Sequence, residues 1–335
     1  MGPTQGPPYL PPVAGVGGLP TVSVDIPICA VFIAIFATGA ACHMTLYRLN
    51  LSRGRKFIPS LLTFAFCMIR IVTNSMRIAW AAHPTNVSVA IAAQVFLSAG
   101  VLVLWILAMI HAQRILRGAN PKLAWSRPLS YFFKALYVIV VLSLLMVVAV
   151  TVLTFFTLNP DTRLIARHIQ LYGASYFLFF AFLPLPIVAY SAIVAPRNPV
   201  ERFGKGSWRT KLLIIAIASI LLTIVSGFRA GTSYMSARPN TNPAWYHHKA
   251  PFYIFNFTFE AIVVFLFFFG RVDQRFYIPD GSSKVRTYNR SPDAQSAEGS
   301  STREDYLEQR KDPIATESAS ELLPDNEKVF SKTRE

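Results

Sequence analysis

The stretch PFYIFNFTFEAIVVFLFFFGRVDQRF, residues 251–276, constrains this chain more than any other. Its first twenty residues are almost wholly apolar, about the length an α-helix needs to cross a ~30 Å hydrocarbon core. Glu260 stands in the middle of that run. A carboxylate at such depth is costly unless it is protonated, paired or bathed in a water-filled cavity. No other acid lies well inside an apolar run; Asp25 sits at the margin of one. The membrane portion of the chain can therefore be read by asking what meets Glu260.

Composition places the rest around that helix. The chain is 53% hydrophobic and 15% charged, with a mean hydropathy of +0.41, whereas a soluble domain carries about 25% charge. The class is all-α, a polytopic membrane protein. The net charge of +15 invites a nucleic-acid partner, but its distribution excludes one. Residues 271–335 hold 11 basic and 13 acidic side chains, leaving 21 basic and 4 acidic in residues 1–270. Those basic residues sit in short loops between apolar runs, where topology signals lie, and form no basic stripe. Cys29, Cys42 and Cys67 all fall in apolar runs, odd in number and without metal-ligand spacing, so neither disulfides nor a metal site is expected. No cofactor is expected either.

Seven spans can be drawn, at about 24–47, 57–81, 87–110, 135–158, 170–195, 212–234 and 251–276. The first, third and fifth loops are basic: Arg48, Arg53, Arg55 and Lys56; Arg114, Arg117, Lys122, Arg127 and Lys134; Arg197, Arg202, Lys205, Arg209 and Lys211. The alternate loops are nearly free of Lys and Arg, which puts the N-terminus outside and the C-terminus in the cytosol. Residues 1–22, rich in Pro and Gly, read as a disordered extracellular arm without the basic start of a signal peptide. Residues 23–276 form the membrane domain, and 277–335 a disordered polar tail removable from residue 285 without loss of stability. Pro184 and Pro186 should kink the fifth span. Gly227 and Gly231 give the sixth a GxxxG spacing suited to close helix contact. Asn86-Val87-Ser88 is a glycosylation sequon in an outer loop. In the tail, Ser291, Ser300, Ser301 and Thr302 are candidate phosphorylation sites.

Charged side chains inside the spans carry the functional reading. Arg70, Asn74 and Arg77 follow an i, i+4, i+7 spacing that places them on one helical stripe. At a rise of ~1.5 Å per residue, Glu260 lies ~16 Å from the cytoplasmic end, Arg70 ~20 Å, Arg229 ~26 Å and Arg77 ~30 Å. Arg70 is thus the partner expected for Glu260, as a structural clasp or as a working switch. Arg77 and Arg229 share the outer third with no acid nearby except Asp25. Arg77 either snorkels to the headgroups or joins Arg229 in a cavity favouring an anionic ligand from outside. His247 and His248 read as loop histidines rather than metal ligands. No HExxH, GxSxG or paired acidic motif lies in any span, so no enzyme is expected. The seventh span has no lysine for a retinal Schiff base, and the third ends IHAQR in place of Asp/Glu-Arg-Tyr.

The pattern KAPFYIFNFTFEAIVV followed by RVDQRFYIPDGSS resembles a fungal family of seven-helix proteins labelled "family C-like G-protein-coupled receptor". The resemblance covers about residues 25–283 and centres on Phe252, Tyr253, Asn256, Glu260, Arg271, Asp273, Arg275 and Phe276. A weaker similarity, through Arg229, Phe252–Phe255 and Glu260, is to Rta-like lipid-translocating exporters. The first implies a fungal source and a seven-helix membrane domain. The outside-to-inside topology, the outer polar pocket and the phosphorylatable tail point to a receptor-like sensor in the plasma membrane, with an extracellular ligand and cytosolic G-protein subunits as partners besides the lipid bilayer. The second implies a transporter of lipid or small molecules; a structural or accessory membrane protein is the remaining alternative. The orientation has a direct check. Protease added to intact cells should spare an epitope placed after residue 300, and its digestion there would reverse the topology.

Overall fold

Seven helical stretches are long and apolar enough to cross a membrane, and each follows from local sequence chemistry. The computed structural model describes residues 6–9, 13–195, 200–201, 203–278 and 287–288. The first two spans are single helices, α1 (Val22–Ser52) and α2 (Ile58–Ala82). The third is two pieces, α3 (Val87–Gly100) and α4 (Leu102–Ala119), broken at Val101. A short α5 (Pro121–Ala124) leads into the fourth span, α6 (Arg127–Phe156). The fifth divides into α7 (Pro160–Phe182) and α8 (Pro184–Val194), with the break at Leu183 just before the expected Pro184. The sixth is α9 (Trp208–Tyr234).

The seventh span has three pieces. It runs from α10 (Lys249–Tyr253) through a π-helical turn (Ile254–Thr258) into α11 (Phe259–Phe269), and a short α12 (Val272–Arg275) follows it. Among the described residues the one β feature is an isolated bridge between Val13 and Pro239.

Start signals are chemical. The Asn86 side chain accepts from Val89 N at 3.3 Å, Asn159 from Asp161 N at 2.9 Å and Ser207 from Thr210 N at 3.2 Å, each satisfying a donor the helix cannot. The sequon asparagine Asn86 is thus the cap of α3. Several helices outrun the hydropathy boundaries: the third span reaches Ala119 rather than 110, the fourth begins at Arg127 rather than 135, and the fifth at Pro160 rather than 170. Hydropathy sees only the hydrocarbon-deep part of a helix. Polar turns at its ends continue the same backbone ladder into the headgroup layer, where Arg and Lys reach water.

Packing sets α4 at the centre. Leu104, Leu107, Met109, Ala112 and Ile115 are fully buried there, and the helix touches α2, α7, α8 and α9. The fourth span, without a charged residue after Lys134, has the lowest buried share of the seven, 17% of its apolar window. It presents Val138, Leu142 and Leu145 outward, as a lipid-facing helix should. Helix α1 packs on α2 and α11, and α9 on α7, α8 and α11, so the seventh span closes the ring between the first and the sixth.

The GxxxG spacing serves a different end from close helix contact. A Cβ on Gly227 would meet only a Leu178 methyl at 3.9 Å, and one on Gly231 would meet nothing within 4 Å. Both glycines instead line an open apolar groove with Leu178, Phe179 and Phe182.

Two segments expected to be unstructured contribute to the packing where they are described. Ala14 N donates to Arg238 O at 2.9 Å, and Val16 packs against the hydrophobic core. Beyond the bundle's other end, Thr287 Oγ1 and Tyr288 N donate to the two Glu201 carboxylate oxygens at 2.8 and 2.9 Å. The Tyr288 ring is 4% exposed, lying 5.6 Å from Trp125 and 5.2 Å from Phe203. Tyr288 therefore packs with the bundle, and removal from residue 285 would take this contact with it. Ser291, Ser300, Ser301 and Thr302 lie outside the described residues. Truncation after Tyr288 should leave thermal stability unchanged. Truncation after Ile278 exposes this aromatic contact and should cost about 2 kcal/mol, seen as a lower melting temperature in detergent. Equal melting temperatures for the two truncations would show that the Tyr288 contact contributes nothing.

Candidate functional site

Glu260 opens α11 at the first turn after the π-helical stretch, and Arg70 lies midway along α2. Both are fully buried. They meet side-on: Arg70 Nε reaches Glu260 Oε2 at 2.5 Å and Nη2 reaches Oε1 at 2.6 Å. This two-bond fork is the strongest form of the ion pair. The remaining Arg70 nitrogen, Nη1, donates to Leu97 O at 3.3 Å, so the guanidinium links α2, α3 and α11. The rings of Phe66 and Phe257 complete its surroundings at 5.4 and 5.5 Å.

That arrangement needs a glycine where α3 ends. A Cβ on Gly100 would stand 2.9 Å from Arg70 Cζ and Nη1, closer than such atoms approach. Leu97 lies in the last turn of α3, where helical carbonyls lack a full set of partners. The break at Val101 thus serves the charge beside it.

The π-helical turn is built by side chains. Asn256 Nδ2 donates to Phe252 O at 2.9 Å and Thr258 Oγ1 to Tyr253 O at 3.3 Å, supporting carbonyls where the regular i→i−4 ladder is interrupted. Downstream of the turn is Glu260 and upstream is Tyr253, which serves a second charged cluster.

Asp25 is the centre of that cluster, fully buried near the start of α1. Its Oδ1 accepts from Tyr253 Oη at 2.7 Å and from Arg77 Nε at 2.9 Å, and its Oδ2 accepts from Thr21 N at 2.7 Å and pairs with Lys249 Nζ. Cys29 Sγ lies 3.2 Å from the same Tyr253 hydroxyl. Arg77 Nη2 donates further to Gly17 O at 2.8 Å, and its guanidinium lies over the Phe252 ring at 4.2 Å. Arg77 is therefore not snorkelling. It ties the N-terminal segment, α1, α2 and the seventh span together. Gly17 has φ +86°, and a Cβ there would strike Phe252 at 2.5 Å, so the strand passes where only glycine fits.

A cavity of about 440 Å³ opens beside this cluster. Its walls come from α3, α4, α6, α7, α9 and the seventh span, and Val13–Val16 of the N-terminal segment contribute to one side. Trp105, Phe177, Phe228 and Phe252 supply apolar surface, Gln94, Gln170 and Asn256 polar surface, and Arg229 and Arg167 positive charge. Among the described residues, none lining it is Asp or Glu. His247 joins the wall; burial, with Arg238 and His248 alongside, lowers its pKa, so the ring is neutral at pH 7.

Arg229 is the unbalanced charge. Its Nη2 donates to Leu97 O at 3.2 Å, the carbonyl that also holds Arg70, and its buried Nε has no hydrogen-bond partner. Among the described residues no carboxylate lies within ion-pair distance of it. Arg167, on α7, is exposed and donates to Met235 O at 3.2 Å.

Arg70, Asn74 and Arg77 do share a buried stripe, but Asn74 turns onto its own helix, donating to Arg70 O at 2.8 Å. It touches neither acid and does not line the cavity. Arg77 faces Asp25 rather than joining Arg229 in the larger cavity. Among the described residues no group of three His, Cys, Asp or Glu side chains could hold a metal.

Sequence reasoning missed Tyr253, Lys249, Gly17, Gly100 and the Leu97 carbonyl. Tyr253 and Lys249 could have been found as polar groups about two and three turns before Glu260 on the same span. A backbone carbonyl leaves no signal in a sequence.

Residues 200–277 match a family profile described as "Protein of unknown function (DUF3112)"; no curated protein and no solved structure matches the chain. The matched segment contains Arg229, Tyr253 and Glu260.

The pair geometry makes a sharp mutational test. Arg70→Met leaves Glu260 without its counter-charge and should destabilise by ~3–5 kcal/mol. Arg70→Met/Glu260→Gln should recover much of that loss. Gly100→Ala, which only crowds the guanidinium, should cost ~1–3 kcal/mol. Unfolding of detergent-solubilised variants measures all three, and additive damage in the double variant would show no coupling.

Proposed function

We propose that this chain is a receptor-like sensor in the plasma membrane, taking an anionic ligand from outside into the cavity beside its N-terminal segment. The observation that carries the reading is Arg229: a positive charge in a cavity with no acid among its described lining residues and no carboxylate among the described residues within ion-pair distance, joined through Leu97 O to the Arg70–Glu260 pair. An arriving anion supplies what Arg229 lacks, and Leu97 gives that event contact with the central ion pair. Loop charges support the cavity being extracellular. The far end, with its basic loops, then faces cytosolic G-protein subunits.

A second reading, a transporter, draws on a different observation. Three spans are interrupted, at Val101, at Leu183 and at the turn 254–258, and interrupted helices at membrane depth are a feature of transport pathways.

One preparation separates the two. Full-length protein in liposomes, loaded with a labelled organic anion and supplied with G-protein heterotrimer, should accelerate nucleotide exchange on the heterotrimer without moving the anion across the bilayer. Flux without exchange would replace the sensor reading with the transporter. Neither response to any anion would leave the accessory role.

A further inference from the structure

The cavity also specifies the kind of anion. We infer that it takes an organic monoanion: one carboxylate-like head on an apolar, ring-bearing body. The inference rests on the cavity being the ligand site, and it is tested below by binding alone.

The head follows from Arg229. Its Nε is buried without a partner, and its Nη2 is held only by a carbonyl at 3.2 Å. A head with two oxygens can satisfy both nitrogens in the side-on fork that Glu260 already makes with Arg70. A neutral hydroxyl supplies one acceptor and no charge. A cation would face Arg229 and Arg167 with no acid among the described lining residues.

The charge number follows from the same inventory. Arg70 is matched by Glu260, and Arg77 and Lys249 share the one charge of Asp25 and do not line the cavity. Of the cations that line it, Arg229 is, among the described residues, the one with a buried nitrogen left unpartnered. A second negative charge would have to be desolvated with only exposed Arg167 near it, and an unmatched buried charge is costly.

The body follows from the walls. At about 440 Å³ the space is in the range of small-molecule sites. Trp105, Phe177 and Phe228 present ring surface to it, and the Phe228 ring is itself fixed by stacking on Phe255 at 4.2 Å. An inorganic anion would leave those rings uncovered.

The test uses full-length protein in lipid nanodiscs, with empty nanodiscs subtracted, and four probes sharing one ring system. These are 2-naphthoate, its neutral counterpart 2-naphthylmethanol, the cation 2-naphthylmethylamine and the dianion 2-naphthyl phosphate. Naphthoate should bind saturably and at least tenfold more tightly than the alcohol or the phosphate, with no saturable binding of the amine. Arg229→Gln should reduce naphthoate to the affinity of the alcohol, and Arg229→Lys should restore part of the difference.

Ala174→Trp, which fills the cavity and leaves Arg229 in place, should abolish binding while the melting temperature is kept. It decides the matter if the Arg229 variants do not fold. Equal affinity for acid and alcohol, tighter binding of the phosphate, no saturable binding of naphthoate, or naphthoate binding untouched by Ala174→Trp would each overturn the assignment. Nucleotide exchange is read separately. Naphthoate binding without exchange leaves the ligand class standing and removes the sensor, whereas exchange driven by the alcohol does the reverse.

Discussion

A fixed carboxylate in the middle of an apolar span must be neutralised on the spot, since the bilayer offers no water to do it. The Arg70–Glu260 fork answers that requirement, and much of the surrounding structure is arranged to permit it. Arg70 can lie flat against α3 only because position 100 is glycine. Its third nitrogen is served by a carbonyl in the last turn before the break at Val101. Removing either charge would leave the other stranded in a low-dielectric interior, so the pair fixes how α2, α3 and α11 sit against one another.

The second cluster obeys the same rule with different parts. Asp25 collects a backbone amide, a phenol, a guanidinium and an ammonium, while Arg77 spends its remaining donor on Gly17 O. The N-terminal segment is thereby drawn down onto the bundle and becomes part of a cavity wall. Positive charge exceeds negative charge among the described groups here: Arg77 and Lys249 share the single carboxylate of Asp25, and Arg229 has none within ion-pair distance.

The seven spans were legible because hydropathy periodicity and loop charge report directly on solvent. The Arg70–Glu260 pair was legible from depth alone: both residues count to similar distances from one membrane face, and no other acid was available there. The Arg77–Asp25 contact was half legible, since Asp25 was the one acid at that level. Asn74 misled, because a stripe shows which way a residue faces but not whether its side chain bends back to its own helix. Gly227 and Gly231 misled likewise; small residues permit close approach without requiring it. Gly100 and Leu97 could not be read at all, because their roles depend on a guanidinium from another helix. The N-terminal segment read as disordered from its Pro and Gly content, and among the contacts that hold it is the Gly17 carbonyl, which accepts from Arg77.

The π-helical turn at 254–258 has a consequence for how the two charged clusters coexist. In a regular α-helix, residues seven apart fall on nearly the same face, so Tyr253 and Glu260 would point to one neighbour. The wider turn between them offsets the two by about one residue, or about 100° of rotation. Tyr253 then addresses Asp25 on α1 while Glu260 addresses Arg70 on α2. Winding the turn back into a regular helix would swing one of these groups away from its partner. The seventh span therefore behaves as a shaft with a phase offset cut into it, and that offset lets a single helix offer a hydroxyl to a carboxylate on one neighbour and a carboxylate to a guanidinium on another.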